Sequence, residues 1–205
     1  MEALLSTFVV LFVVVDPIGL APIFVGLTRG MDPARQRRQA VRGTLLAGII
    51  LLVFFFSGDT LLQLLGVGLP AFRIAGGILL FLLAIDMIFA RRSGLRSTTL
   101  REQAEAASRP DVSVFPLAFP LIAGPGALTT VLLMANAGTS APRFIGMLAL
   151  LILVLAITLA SLLSAPLIMR LLGETGANVI SRLLGLVLAA LAVQFVIDGI
   201  HESFP

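Results

Sequence analysis

Six stretches of about twenty mostly apolar residues follow one another along the 205-residue chain, at roughly 3–28, 43–65, 70–90, 113–137, 144–172 and 177–200. About twenty residues wound at 1.5 Å each cross the hydrocarbon core of a bilayer. Within that core only helices and closed barrels satisfy their own backbone. The repetition therefore predicts an all-α, polytopic membrane protein of about six transmembrane helices. Composition agrees, with 59% hydrophobic and 12% charged residues, against roughly 25% charged in a soluble domain. The N-terminal run begins with Glu2 rather than a basic cluster and reaches Asp16-Pro17 without a small-residue cleavage site. It reads as the first membrane segment and not as a cleaved leader.

All 14 basic residues are arginine. Five follow the first segment (Arg29, Arg35, Arg37, Arg38, Arg42), five follow the third (Arg91, Arg92, Arg96, Arg101, Arg109), and Arg170 and Arg182 flank the turn between the fifth and sixth. Only Arg73 and Arg143 fall on the other side. Positive residues stay on the cytoplasmic face, so this distribution expects both termini outside the cytoplasm. It also explains a pI near 11.2 at a net charge of only +3 without invoking nucleic acid. The polar stretch 91–112 reads as a cytoplasmic linker between a first repeat at 1–90 and a second at 113–205.

The two halves share a pattern. Pro17-Ile18-Gly19-Leu20-Ala21-Pro22 in the first segment matches Pro120-Leu121-Ile122-Ala123-Gly124-Pro125 in the fourth, with two prolines five residues apart in each. Later, Leu64-Leu65-Gly66 precedes Arg73 and Gly76, as Leu171-Leu172-Gly173 precedes Arg182 and Gly185. Three spans per half is an odd number, so the second half crosses in the opposite sense. The expectation is two inverted three-helix repeats whose first and fourth segments are broken by Pro/Gly motifs, an architecture of secondary transporters.

Proline removes a backbone donor and clashes with the preceding turn. Two of them should unwind most of a turn, which hydrocarbon tolerates only where the chain lines a cavity or is buried in protein. Freed carbonyls and the first N–H groups of the next half-helix then become ligands for a polar solute. The candidate substrate-binding residues are Asp16, Pro17, Gly19, Pro22 and Thr28 from the first break. The second break adds Pro120, Gly124, Pro125, Gly126, Thr129 and Thr130. Asp16, about twelve residues into the first run and so near mid-membrane, is the candidate coupling-proton site; capping of the following half-helix is an equally good account of it. Its counterpart in the second half is Phe119. Asp59 is the expected partner of Arg73, Pro166 an expected kink, and Asn178 the expected cap of the sixth helix. The chain has no cysteine and one histidine, His201, outside the last apolar run. No nucleophile has a visible base, so neither an enzyme, a metal site nor a cofactor is expected.

At the paired motifs, Asp16 through Phe24 and Phe119 through Thr129, and again from Leu171 to Gly199, the sequence resembles the MarC family, which includes transporters of small neutral amino acids. The resemblance spans nearly the whole chain. It implies an inner-membrane protein of a bacterium or archaeon that moves glycine, alanine and similar solutes, with proton coupling and export both compatible. The partners expected are a small neutral amino acid, protons and membrane lipid, with a homo-oligomer left open and nucleic acid excluded. The alternatives are a lipid-binding or lipid-translocating protein, or a non-transporting accessory protein.

Overall fold

The computed structural model describes residues 2–89, 111–136 and 141–204. Its ordered elements are helical, with no strand among the described residues. They are α1 (Glu2–Val15), α2 (Pro17–Leu27), α3 (Pro33–Leu64), α4 (Leu69–Ile88), a widely wound segment α5 (Ser113–Ile122), α6 (Pro125–Asn136), α7 (Ala141–Leu163) and α8 (Ala165–Ser203). Five stretches are long and apolar enough to cross a membrane: Leu4–Leu27, Pro33–Leu64, Leu69–Ile88, Ala141–Leu163 and Thr175–Ser203. A sixth is added if α5 and α6, bent by 60°, form one span.

Local chemistry sets the ends. Asp32 accepts a hydrogen bond from the Arg35 N–H at 3.0 Å and Pro33 opens α3, an N-cap followed by a first-turn proline. At 32 residues, α3 is about 48 Å long. That exceeds the roughly 30 Å of hydrocarbon, so an arginine-bearing end can stand outside it.

The core is made by close approach rather than by contrast of polarity. Helices α4 and α8 run antiparallel and share the most extensive contact among the described elements. A Cβ on Gly77 would lie 2.8 Å from the Ala192 carbonyl, and one on Gly199 would lie 2.9 Å from the Pro70 carbonyl. Near the other end, a Cβ on Gly185 would lie 2.8 Å from Met87 Cβ. Between membrane helices, where lipid is as apolar as leucine, such small residues gain dispersion contact. On α3 the buried side carries Ala40, Ala47, Leu51 and Phe55, while Leu45, Ile49, Val53 and Phe56 point outward. Both faces are apolar; the inner one is on average smaller.

Several expectations are corrected. The fifth apolar stretch ends at Leu163 rather than 172, and Pro166 stands in the first turn of α8 instead of kinking a span. The bend that follows is at Gly173, with φ 65° and ψ 178°, a conformation that essentially requires glycine. Asn178 therefore lies inside α8 and does not cap it. Arg73 pairs with Glu202, while Asp59 accepts from Gln63 Nε2 at 2.8 Å. The linker at 91–112 lies outside the described residues except for Asp111 and Val112.

Those two residues clasp the second half to α3. Gln39 Oε1 accepts the Val112 N–H at 3.1 Å, and Arg42 pairs with Asp111. The Ser113 hydroxyl donates to Asp111 at 2.6 Å and its N–H at 2.9 Å. The hydroxyl bond does most to hold the Asp111 carboxyl below its usual 3.8, with partial burial opposing, and the Ser113 N–H, Arg42 and Arg38 assisting. A lowered folded-state pKa stabilises fully above the unfolded value and is lost as pH falls through the folded one. Thermal unfolding in detergent should therefore lose more stability between about pH 6 and pH 3 in the wild type than in Asp111→Asn. Equal losses would show that the clasp contributes nothing.

Candidate functional site

The two proline pairs produce two different breaks. In the first, a single residue interrupts the helix. Asp16 adopts φ 48° and ψ 67°, the left-handed conformation that a short polar side chain tolerates best after glycine. The chain is helical again from Pro17, and Pro22 sits within α2, so the expected loss of most of a turn does not occur here. Asp16 Oδ1 caps α2 by accepting the Gly19 N–H at 3.0 Å. Its other oxygen accepts from Ser181 Oγ of α8, also at 3.0 Å. Beside it, Ser161 Oγ of α7 donates to the Pro17 carbonyl at 2.6 Å.

Asp16 is 2% exposed. Its carboxylate fills the room that a side chain at 19 would need, since a Cβ there would lie 2.1 Å from Oδ2 and 2.5 Å from Ser181 Oγ. This cluster ties α1 and α2 to α7 and α8. Removing the Ser181 hydroxyl deletes a bond to a buried acid, with an expected cost of about 1 to 3 kcal/mol. Denaturant unfolding of Ser181→Ala against Ser181→Thr measures it, and the threonine variant should retain most of the stability.

The second break is wider. In α5, Leu117 and Ala123 bond back five residues, to Val112 and Ala118. Phe115 and Phe119, each preceding a proline through a cis peptide bond, have extended backbone, as residues before proline prefer. A Cβ on Gly124 would stand 2.5 Å from the Pro120 carbonyl, so the return of the chain into α6 needs glycine at that position. The first N–H bonded back within the α6 turn is that of Leu128, to the Gly124 carbonyl at 3.0 Å. The N–H groups of Gly126 and Ala127 belong to the helix's first turn, which an α-helix cannot satisfy from within.

A cavity of about 20 Å³ opens at this point. Pro120, Gly124, Pro125 and Gly126 form one side of it, and Leu79 and Leu83 of α4 with Val14 of α1 close the other. Its volume admits about one water molecule. A preformed N-terminal turn facing an apolar wall can hold an anionic group by its N–H donors and its positive dipole end.

Of the residues singled out from the sequence, Pro120, Gly124, Pro125 and Gly126 line this cavity. Asp16, Pro17 and Gly19 make the polar cluster on the α1–α2 break. Pro22 is internal to α2. Thr28 ends that helix, its hydroxyl bonded back to the Phe24 carbonyl at 2.8 Å. Thr130 likewise bonds back to the Gly126 carbonyl at 2.8 Å, and Thr129 packs on α4 where a Cβ at Gly76 would meet it at 2.0 Å. Neither threonine lines the cavity.

Sequence reasoning missed Ser161, Ser181, Val14, Leu79 and Leu83. A signal existed for one of them. Aligning Arg73 with Arg182 sets Phe72 against Ser181, just as the proline motif sets Phe119 against Asp16. The two matched sequence patterns thus differ at both partners of one hydrogen bond.

A family model described as MarC family integral membrane protein matches residues 1–204. The chain belongs to the MarC family. Within it, the protein is 39% identical over 202 residues to the UPF0056 inner membrane protein YhgN of Escherichia coli K12, covering 98% of each chain. It is 36% identical over 198 residues to the UPF0056 membrane protein YhcE of the same organism, covering 97% of this chain and 92% of that one. A UPF0056 membrane protein of Archaeoglobus fulgidus is 37% identical over 200 residues, with the same coverage. No solved structure matches this MarC protein.

Proposed function

We propose that this MarC protein is a secondary transporter of small neutral amino acids, glycine and alanine among them, and not an enzyme. The observation that carries the reading is the cavity at the start of α6. It is walled by glycine, proline and aliphatic side chains and wedged between elements of the two halves. First-turn N–H groups would take the carboxylate, the carbonyls freed in α5 would take the ammonium, and the apolar wall would face the side chain. Asp16 would carry the coupling proton, two residues along the chain from Val14 in the cavity wall.

The pairing of helices supports an inverted repeat, with 1–90 and 113–205 as its units. Helix α2 packs on α7 and α8 as α6 packs on α3 and α4, and α1 packs on α7 as α5 packs on α3. Twelve arginines against two favour both termini outside the cytoplasm, in an inner membrane such as the one named for the YhgN relative. A cavity of about 20 Å³ would have to widen to admit alanine; whether net movement is import or export would follow from the gradients.

The test is counterflow of labelled alanine and glycine in liposomes holding the purified protein. Saturable exchange supports the reading. Its absence from protein shown to be folded and inserted overturns it and turns attention to lipid as the solute.

A further inference from the structure

The wall opposite the broken segment is contributed by α4 and α1, outside the motifs that drew attention in the sequence. Leu79 and Leu83 are four residues apart on α4, hence on one face, and both line the cavity with Val14. The same wall presses on α6: a Cβ placed on Gly126 would lie 3.0 Å from Leu80 Cδ2, 3.2 Å from Leu83 Cδ2 and 3.3 Å from Val14 Cγ1. A solute whose polar ends are held by the backbone of α5 and α6 has its side chain directed at these tips. The cavity that they share with the start of α6 measures about 20 Å³.

The repeat makes the bulk of Leu83 informative. With Arg73 aligned to Arg182 and Gly76 to Gly185, Leu79 corresponds to Leu188 but Leu83 corresponds to Ala192. Leu188 and Ala192 are both fully buried on α8. The α8 position therefore tolerates alanine in the same helical setting. On α4, where the cavity lies, the chain carries three more carbons.

We infer that Leu83, backed by Leu79 and Val14, sets the upper size of the transported side chain, excluding solutes larger than alanine. The inference rests on the amino acid transport proposed above. Leu83 acts by occupying volume, so shortening it admits larger apolar side chains, and enlarging it narrows acceptance to glycine. Rejection of one methylene by an apolar pocket is worth about 10- to 200-fold.

The experiment is counterflow in liposomes with labelled glycine, alanine and valine, read as ratios within each preparation. In Leu83→Ala the valine-to-alanine ratio should rise at least about tenfold over wild type. In Leu83→Phe the alanine-to-glycine ratio should fall by a similar factor. Leu186→Ala, on an exposed position of α8, should change neither. If Leu83→Ala does not fold, Leu83→Val decides, with a smaller rise in the same ratio. Unchanged ratios in variants that still exchange alanine or glycine overturn the inference while leaving transport intact. If the wild type exchanges no amino acid at all, the transport reading fails first and the inference falls with it.

Discussion

Gly126→Leu should reduce alanine counterflow at least about 100-fold while leaving a folded, inserted protein. The physical case is steric. A Cβ alone at this position already meets three side-chain carbons at 3.0 to 3.3 Å. Those atoms are ends of Leu80, Leu83 and Val14, which can shift by tenths of an ångström. The further carbons of a leucine have only the cavity to enter, and it offers about 20 Å³. Overpacking of this kind typically costs about 1 to 3 kcal/mol. Replacing a glycine inside α6 returns up to about 1 kcal/mol of helix propensity. The net loss should leave the fold standing while the start of α6 is blocked. Gly126→Ala should have a smaller effect, on the order of tenfold. Counterflow on preparations matched for monodispersity and insertion decides it. Full exchange in the leucine variant would place the solute path away from α6.

Asp16→Asn should separate exchange from accumulation. Asparagine is as good an N-cap as aspartate, and it tolerates the left-handed conformation found at position 16. Its carbonyl can accept the Gly19 N–H, so the tie between α1 and α2 survives, but its amide cannot take up and release a proton. Uptake driven by a pH gradient should fall at least about tenfold, while counterflow at constant pH stays within a few-fold of wild type. Both activities persisting would reduce Asp16 to a structural cap. Both vanishing in folded protein would make it part of the solute site. Asp16→Ala is the harsher companion, because it removes a cap worth about 1 to 2 kcal/mol and leaves the half-buried Ser181 hydroxyl without the acceptor it has in the wild type.

The two proline motifs mark the limit of what their sequence conveys. Pro17 to Pro22 and Pro120 to Pro125 have the same spacing, yet only the second opens the helix. In the first, Asp16 supplies its own side chain to the freed N–H and a hydroxyl from Ser181 completes the site, so the break closes to one residue. Phe119 has no side-chain oxygen to offer, and Pro116 adds a further interruption upstream. The chain there remains widely wound and turns by 60° into α6. A motif read by its prolines alone ranks the two breaks equally, whereas the residue before the first proline distinguishes them.

Hydropathy by itself determined that the chain crosses a membrane as helices. Backbone placed in hydrocarbon must pair within its own segment, and runs of about twenty apolar residues leave no other solution. Motif and spacing likewise located both breaks at the residues that now hold the buried acid and the cavity. Which side of each helix faces protein was decided only in the tertiary structure. In a soluble helix that choice is written as polar against apolar, but Leu83 toward the cavity and Leu82 toward lipid are the same residue type. Lipid and protein interior solvate them alike, so the selection is made by shape: by the glycines that let α4 and α8 close on each other, and by the volume left over between α4 and the start of α6. The partnership of Asp16 with Ser181, 165 residues apart in sequence, arises in the same way, from the packing of α2 on α8.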